Sequence, residues 1–247
     1  MNPRQQRIID RISGDAKTSV SELADLLGVS AVTVRRDLSY LQEEGFLKRV
    51  HGGAVLQDAD DISKRLVVNY DRKLAIARKA ASFVEENDTI LIESGSTNAI
   101  LVKELADRER INIITTNVFI ARELRKNKRA GVILLGGEYQ HESESLVGAL
   151  TRLCLEHINF SKAFIGVDGF SRESGFTSTN MMRAEISSQI VRKGARIFVV
   201  TDSSKFGRVH LASLFQPQDV HCLITDSGIP GPDRKYLEEQ GVQVILV

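Results

Sequence analysis

The chain reads as an α/β protein in two parts, and three observations in its 247 residues predict this. A short N-terminal stretch carries two capped helical patterns and a glycine-tipped hairpin pattern. Beyond it, apolar runs of strand length alternate with helical patterns. The turns that follow those runs repeat Ser, Thr, Gly, Asn and Asp in positions suited to binding. Strands alternating with helices imply a mainly parallel sheet covered on both faces.

The head comes first. Ser19 followed by Glu22 is a capping box, and Val20, Leu23, Ala24 and Leu27 give the apolar stripe of a short helix closed by Gly28. Ser30 caps a second helix, whose buried row is Val34, Leu38 and Leu41 at i, i+4 and i+7. Val32, Arg36 and Ser39 fall opposite that row, with Arg35 at its flank and Thr33 near the N-terminal end. An outward valine has no core role but packs on a thymine methyl, and paired arginines bond guanine or hold phosphate. After Gly45, Phe46–Val50 and Ala54–Leu56 read as strands around His51-Gly52-Gly53. This hairpin presents Lys48, Arg49 and His51 to a nucleic-acid backbone. Two helices around a tight turn, then a basic wing, form a winged helix–turn–helix, with the helix–turn–helix at about 20–39 and the head at 1–57.

Here the sequence resembles the DeoR family of bacterial transcriptional regulators. The residues that carry the resemblance are Val29-Ser30, Thr33-Val34-Arg35-Arg36-Asp37-Leu38, Leu41, Gly45 and His51-Gly52-Gly53-Ala54. The resemblance implies a repressor of a carbohydrate or nucleoside operon with a sugar-phosphate-sensing domain behind the head.

Composition bounds the rest. Apolar residues make up 42% and charged residues 26%, the balance of a globular protein, and no apolar run is of bilayer-spanning length. No basic-then-apolar leader opens the sequence, so the expected location is the cytoplasm. Cys154 and Cys222 fit reduced thiols, and the five histidines show no metal-ligand spacing. Neither a cofactor nor a metal is expected. A net charge of +1 makes the basic surface local, so useful affinity calls for two copies of the head and hence a homo-oligomer, dimer or tetramer.

The polar stretch 58–70 is expected to be a linker with a short ordered segment, and 71–247 the second domain. Its strand-like runs are Thr89–Ile92, Ile111–Thr115, Val132–Leu135, Lys162–Val167, Arg196–Thr201, Cys222–Thr225 and Val242–Val247. Ligands of such sheets bind beyond the carboxyl ends of the strands. There stand Glu93, Gly95, Ser96 and Thr97; Thr116 and Asn117; Gly136 and Gly137; Asp168 and Gly169; Asp202 and Lys205. Ser, Thr and Gly before a helix offer an anion site, while Asn, Asp and Lys suit hydroxyls and phosphate. Each turn alone also has an ordinary reading as a cap or tight turn.

The same turns resemble the DeoR-family sensor domain, which is similar in fold to ribose-5-phosphate isomerase. The departures are Glu93 where many members have Asp, and Val118 where many have Ser. The implied partners are double-stranded operator DNA and a phosphorylated sugar. An alternative is a sugar-phosphate isomerase or deaminase with an accessory DNA-binding head. Glu93, Asp168, Asp202 and Lys205 supply the residue types for acid–base work. A reading head fused to the pocket favours regulation, with no catalytic residues.

Overall fold

The computed structural model describes residues 1–14, 18–50, 53–56, 60–108, 110–125, 127 and 129–247. The chain divides into two compact units, Met1–Tyr70 and Asp71–Val247.

In the first unit, α1 (Pro3–Gly14), α2 (Val20–Leu27) and α3 (Ala31–Glu43) precede the antiparallel pair β1 (Leu47–Val50) and β2 (Gly53–Leu56). Ile8, Ile9 and Ile12 of α1 close the core over Leu23, Val34, Leu38, Leu41, Leu47 and Ala54. Helix α1 was not anticipated, because three isoleucines in an otherwise polar segment give a weak periodic signal. Its start is a reciprocal cap. Gln5 N donates to Asn2 Oδ1 at 2.9 Å, and Asn2 N donates to Gln5 Oε1 at 2.9 Å.

The stretch 58–70, expected to be a linker with a short ordered segment, falls within the first unit. It contains α4 (Ile62–Val67), capped by Asp61, whose Oδ1 accepts from Ser63 N and Lys64 N at 2.8 and 3.2 Å. Ile62 is buried and Val68 packs against the head core. Asn69 N donates to Asp10 Oδ1 on α1 at 2.8 Å. The segment is polar in composition, yet its few apolar side chains and one backbone amide tie it to the head.

The larger unit holds all of α5 (Tyr70–Ala81) but its first residue and continues through β3 (Thr89–Ile92), α6 (Ser96–Glu104), β4 (Asn112–Thr115), α7 (Val118–Leu124) and β5 (Gly131–Leu134). A hairpin, β6 (Glu138–Gln140) and β7 (Ser145–Val147), leads to α8 (Ala149–Glu156) and β8 (Lys162–Ile165). Then come β9 (Gly169–Ser171), β10 (Gly175–Ser178), α9 (Met181–Arg192), β11 (Arg196–Val200), β12 (Ala212–Phe215), β13 (Cys222–Thr225), α10 (Gly231–Glu239) and β14 (Gln243–Leu246).

Seven of these strands form a parallel sheet in the order β14-β13-β11-β8-β3-β4-β5. The chain runs outward from β3 to β5, then returns to place β8 against β3, with Leu91 opposite Ala163. That reversal is the topological switch point, the place where parallel sheets of this kind bind their ligands. All seven expected strand runs are present. The hairpin, α8 and the three-stranded antiparallel sheet β12-β10-β9 were not expected. Their strands are only three or four residues long, too short for an alternation to show. Phe170, Phe176, Phe206 and Phe215 hold the small sheet through ring contacts of 4.9–5.4 Å.

Candidate DNA-reading face and ligand-binding edge

The reading head is built from local chemistry. Ser19 and Glu22 form the expected capping box, and Gly28 sits at φ 63°, the left-handed cap that a side chain would strain. Ser30 caps α3, accepting from Thr33 N at 3.2 Å, and its hydroxyl lies 3.0 Å from the Thr33 hydroxyl. Both residues therefore serve the helix start at the tip of the reading face. Val34, Leu38 and Leu41 are completely buried. Val32 on the opposite face is 72% exposed, a large apolar side chain held in water by the helix period. Arg35 and Arg36 are exposed, and Thr33 and Ser39 are half-buried. Lys48 and Arg49 are exposed on β1, opposite Val55 and Ala54. His51 lies outside the described residues.

Asp37 is the surprise of this face. It is buried, and Arg4 Nε and Nη2 reach its two oxygens at 2.6 and 3.1 Å. The sequence shows an acid beside two arginines, with nothing to mark it as the partner of a residue 33 positions away.

At the other site, the parallel sheet puts its carboxyl ends on one edge. From β11 to β5 that edge carries Asp202, Asp168, Glu93, Thr116 and Gly136 in order. Four strand spacings cover about 19 Å, longer than one sugar phosphate, so the five turns do not form a single contact set.

The densest part is the switch point. Gly95 has φ 132° and begins α6 with no side-chain cap, and the first intrahelical bond runs from Ala99 N to Gly95 O at 2.9 Å. The amides of Ser96, Thr97 and Asn98 precede that bond and form the positive end of the helix dipole. The loop from β8 passes close by. A Cβ on Gly166 would lie 3.2 Å from Ser94 O and 3.9 Å from the Gly95 Cα. Asn98 Nδ2 joins the two strand ends, donating to Glu93 O at 2.9 Å and Phe164 O at 3.1 Å.

Glu93 is buried here and accepts from Ser94 Oγ at 2.9 Å. Burial pushes its carboxyl up to about 7, with Asp168 adding to the rise and Ser94, Arg183 and the Gly166 amide opposing it. Asp168 is held by Ser178 Oγ at 2.9 Å and by Thr179 N and Oγ1, both at 3.1 Å. Arg183 Nη2 stands 4.0 Å from Asp168 Oδ2, and the arginine side chain is only 6% exposed. Asn180 caps α9 through Arg183 N at 3.0 Å and so sets where the guanidinium starts. Arg183 was missed in the sequence because an arginine in an amphipathic helix reads as solvent-facing.

The outlying turns differ in role. Asn117 accepts from Ile120 N at 3.1 Å and donates to Ser143 O at 2.8 Å, so its amide is committed at both ends to the framework. Thr116 is buried and its carbonyl takes Leu146 N at 2.7 Å. Gly137 and Gly169 are places of close packing. Added Cβ atoms would come within 2.0 Å of Thr151 Oγ1 and 2.6 Å of Arg208 O respectively. Gly136 faces open space. Asp202 forms a separate group with Lys205 and with Lys73 of α5. Burial acts to raise its pKa, but the two lysines and Ser204 hold it below the usual range.

Both units match family models. Residues 4–60 match the DeoR-like helix-turn-helix domain and residues 68–227 the DeoR C terminal sensor domain. The chain belongs to the DeoR family of transcriptional regulators. Among DeoR-family relatives, the HTH-type transcriptional regulator GolR of Listeria innocua is 34% identical over 245 residues, covering 98% of this chain and 96% of the relative. The putative aga operon transcriptional repressor of Escherichia coli O157:H7 is 29% identical, with 99% and 93% covered. A ribose-5-phosphate isomerase in complex with phospho-erythronic acid aligns with TM-score 0.42 and 15% identity over 56% of this chain and 54% of the other. The matched families and curated relatives are transcriptional regulators, not enzymes. This DeoR-family chain is accordingly a DNA-binding regulator. Among its described residues no helix is long and apolar enough to cross a membrane.

Proposed function

We propose that this regulator represses a carbohydrate operon in the cytoplasm as a homo-oligomer, dimer or tetramer, and that a phosphorylated sugar bound at the switch point alters its hold on operator DNA. Ser30, Val32, Thr33, Arg35, Arg36 and Ser39 read the major groove, and Lys48, Arg49 and His51 contact the backbone. One observation supports the effector reading most. A glycine-started helix turn, Gly95-Ser96-Thr97, stands beside buried Glu93 and Arg183 and half-buried Asp168 at the switch point of a parallel sheet.

The phosphate sits on the Ser96 and Thr97 amides and hydroxyls, where the helix dipole favours an anion. Sugar hydroxyls bond to Glu93 and Asp168. Asn98 Oδ1, buried with no partner among the described residues, is an acceptor for another hydroxyl. Gly136, Gly137, Thr116, Asn117 and Gly169 frame the site, and Asp202 with Lys205 borders it one strand beyond β8. The effector acts by its differential affinity for two arrangements of the oligomer. Switching 1:99 to 99:1 takes about 5.5 kcal/mol, a requirement that several bound ligands share.

A thermal-shift panel of phosphorylated sugars and their unphosphorylated counterparts tests the reading. At least one phosphorylated compound should raise the melting temperature and change operator affinity, while its free sugar does neither. A free sugar acting as strongly as its phosphate would overturn the anion site.

A further inference from the structure

Asp37 belongs neither to the outward reading face nor to the apolar core, yet it is 4% exposed. Three bonds converge on it. Arg4 supplies two, and Gln5 Nε2 gives a third to Oδ1 at 3.3 Å. The reciprocal Asn2–Gln5 cap fixes the first turn of α1, from which both side chains reach. Arg4 keeps a 38% exposed side chain, and Nη1 has no protein acceptor among the described residues. It lines a groove with Val32, Thr33, Arg36 and Tyr40, the outward and α1-side residues of the reading helix.

A buried ion pair is a weak stability device, since apolar replacements are often as good or better. What this pair does supply is orientation. Two parallel bonds hold the planar guanidinium rigid and turn its remaining edge outward. A helix about 10–12 Å across fills a major groove about 12 Å wide, so groups flanking it meet the phosphates along the groove wall.

We propose that Arg4 is a backbone-phosphate contact of the DNA-bound head, and that Asp37 is the positioning residue that aims it. The DNA footprint then includes the first turn of α1 as well as α3 and the wing.

The test uses the full chain with two duplexes of equal length, one selected from a random library by the wild-type protein and one of random sequence. Affinity is measured from 50 to 300 mM salt, and melting temperature is recorded alongside. Arg4→Ala should weaken both duplexes alike, by about fivefold at 0.15 M salt, and lower the salt slope by about 0.9 per bound head. Arg4→Lys should keep most of the slope but lose affinity, because the fork is gone. Asp37→Asn separates positioning from simple charge. Removing an acid near DNA should by itself tighten binding, whereas loss of aim weakens it. The pair Arg4→Gln/Asp37→Asn leaves no unpaired buried charge and guards against a failure to fold. It should show the same slope loss as Arg4→Ala, with no further weakening. A wild-type slope in Arg4→Ala and in the pair, or tighter binding by Asp37→Asn, overturns the proposal.

Discussion

The two units put their functional groups in opposite environments. The head exposes the groups proposed to read DNA: Val32 is 72% exposed and Arg35, Arg36, Lys48 and Arg49 lie in solvent, over a core that contains none of them. The sensor unit buries most of the groups proposed to bind or border the effector, with Glu93, Ser96, Thr97, Asp202 and Arg183 all nearly inaccessible. DNA is a large, charged, solvated surface, and groups that read it cost little to keep in water. A small polar ligand instead needs groups already arranged for it, and most of these are already hydrogen-bonded when the ligand is away, Asn98 Oδ1 being an exception. Function and framework are therefore separable in the head and intertwined in the sensor.

The sharpest way to break that contrast is a pair of substitutions in α3. Leu38→Ala should cost about 2–5 kcal/mol and lose operator binding through unfolding of the head. Val32→Ala should leave the melting temperature unchanged and weaken operator binding alone. If Val32→Ala destabilised the head as Leu38→Ala does, the reading face would be core.

In the sensor, a binding group should also be a stability group. Glu93 has a folded pKa of about 7 against an ordinary 4.5. Between those values the folded chain holds a proton that the unfolded chain has released, so stability falls as pH rises through this window and is flat above it. Glu93→Gln should abolish a fall of roughly 3 kcal/mol, matching wild type near pH 4 and exceeding it at pH 8. Urea midpoints over this range measure the difference, and parallel profiles would show that Glu93 is not held protonated.

Smaller effects belong to the DNA contacts. Arg36→Ala should lose about 1–3 kcal/mol of discrimination at one base position with no change in folding. A mobility-shift comparison of single-base variants of the selected duplex checks it, and unchanged discrimination removes Arg36 from the reading face. Arg49→Ala should lower affinity on selected and random duplexes alike, with the salt slope reduced by about 0.9 per head. A sequence-dependent loss would make it a base contact instead.

The same contrast decides how far the sequence could be read. Ser19, Gly28, Ser30 and the Val34/Leu38/Leu41 row were legible because caps and the helix period are local rules, and all occupy their expected places. The seven parallel strands were legible as short apolar runs, the exposed edge strand β5 included. Helix α1 was missed for want of apolar residues, and the β9-β10-β12 sheet because its strands are only three or four residues long. At the switch point, Gly95-Ser96-Thr97 stood out through its position between strand and helix. Asn117 has the same position, yet both ends of its amide are bonded to backbone. Arg183 and Asp37 were hidden because their partners lie far away in sequence.

The central claim is that a phosphate bound at the start of α6 controls the hold on DNA. Operator binding by the full chain, followed by fluorescence anisotropy while a phosphorylated sugar from the thermal-shift panel is titrated, tests it with wild type and Thr97→Glu side by side. Wild type should shift its operator affinity at least tenfold. Thr97→Glu should bind operator normally and ignore the ligand, because a carboxylate now occupies the anion site. A Thr97→Glu response equal to wild type would place the effector elsewhere and contradict the account.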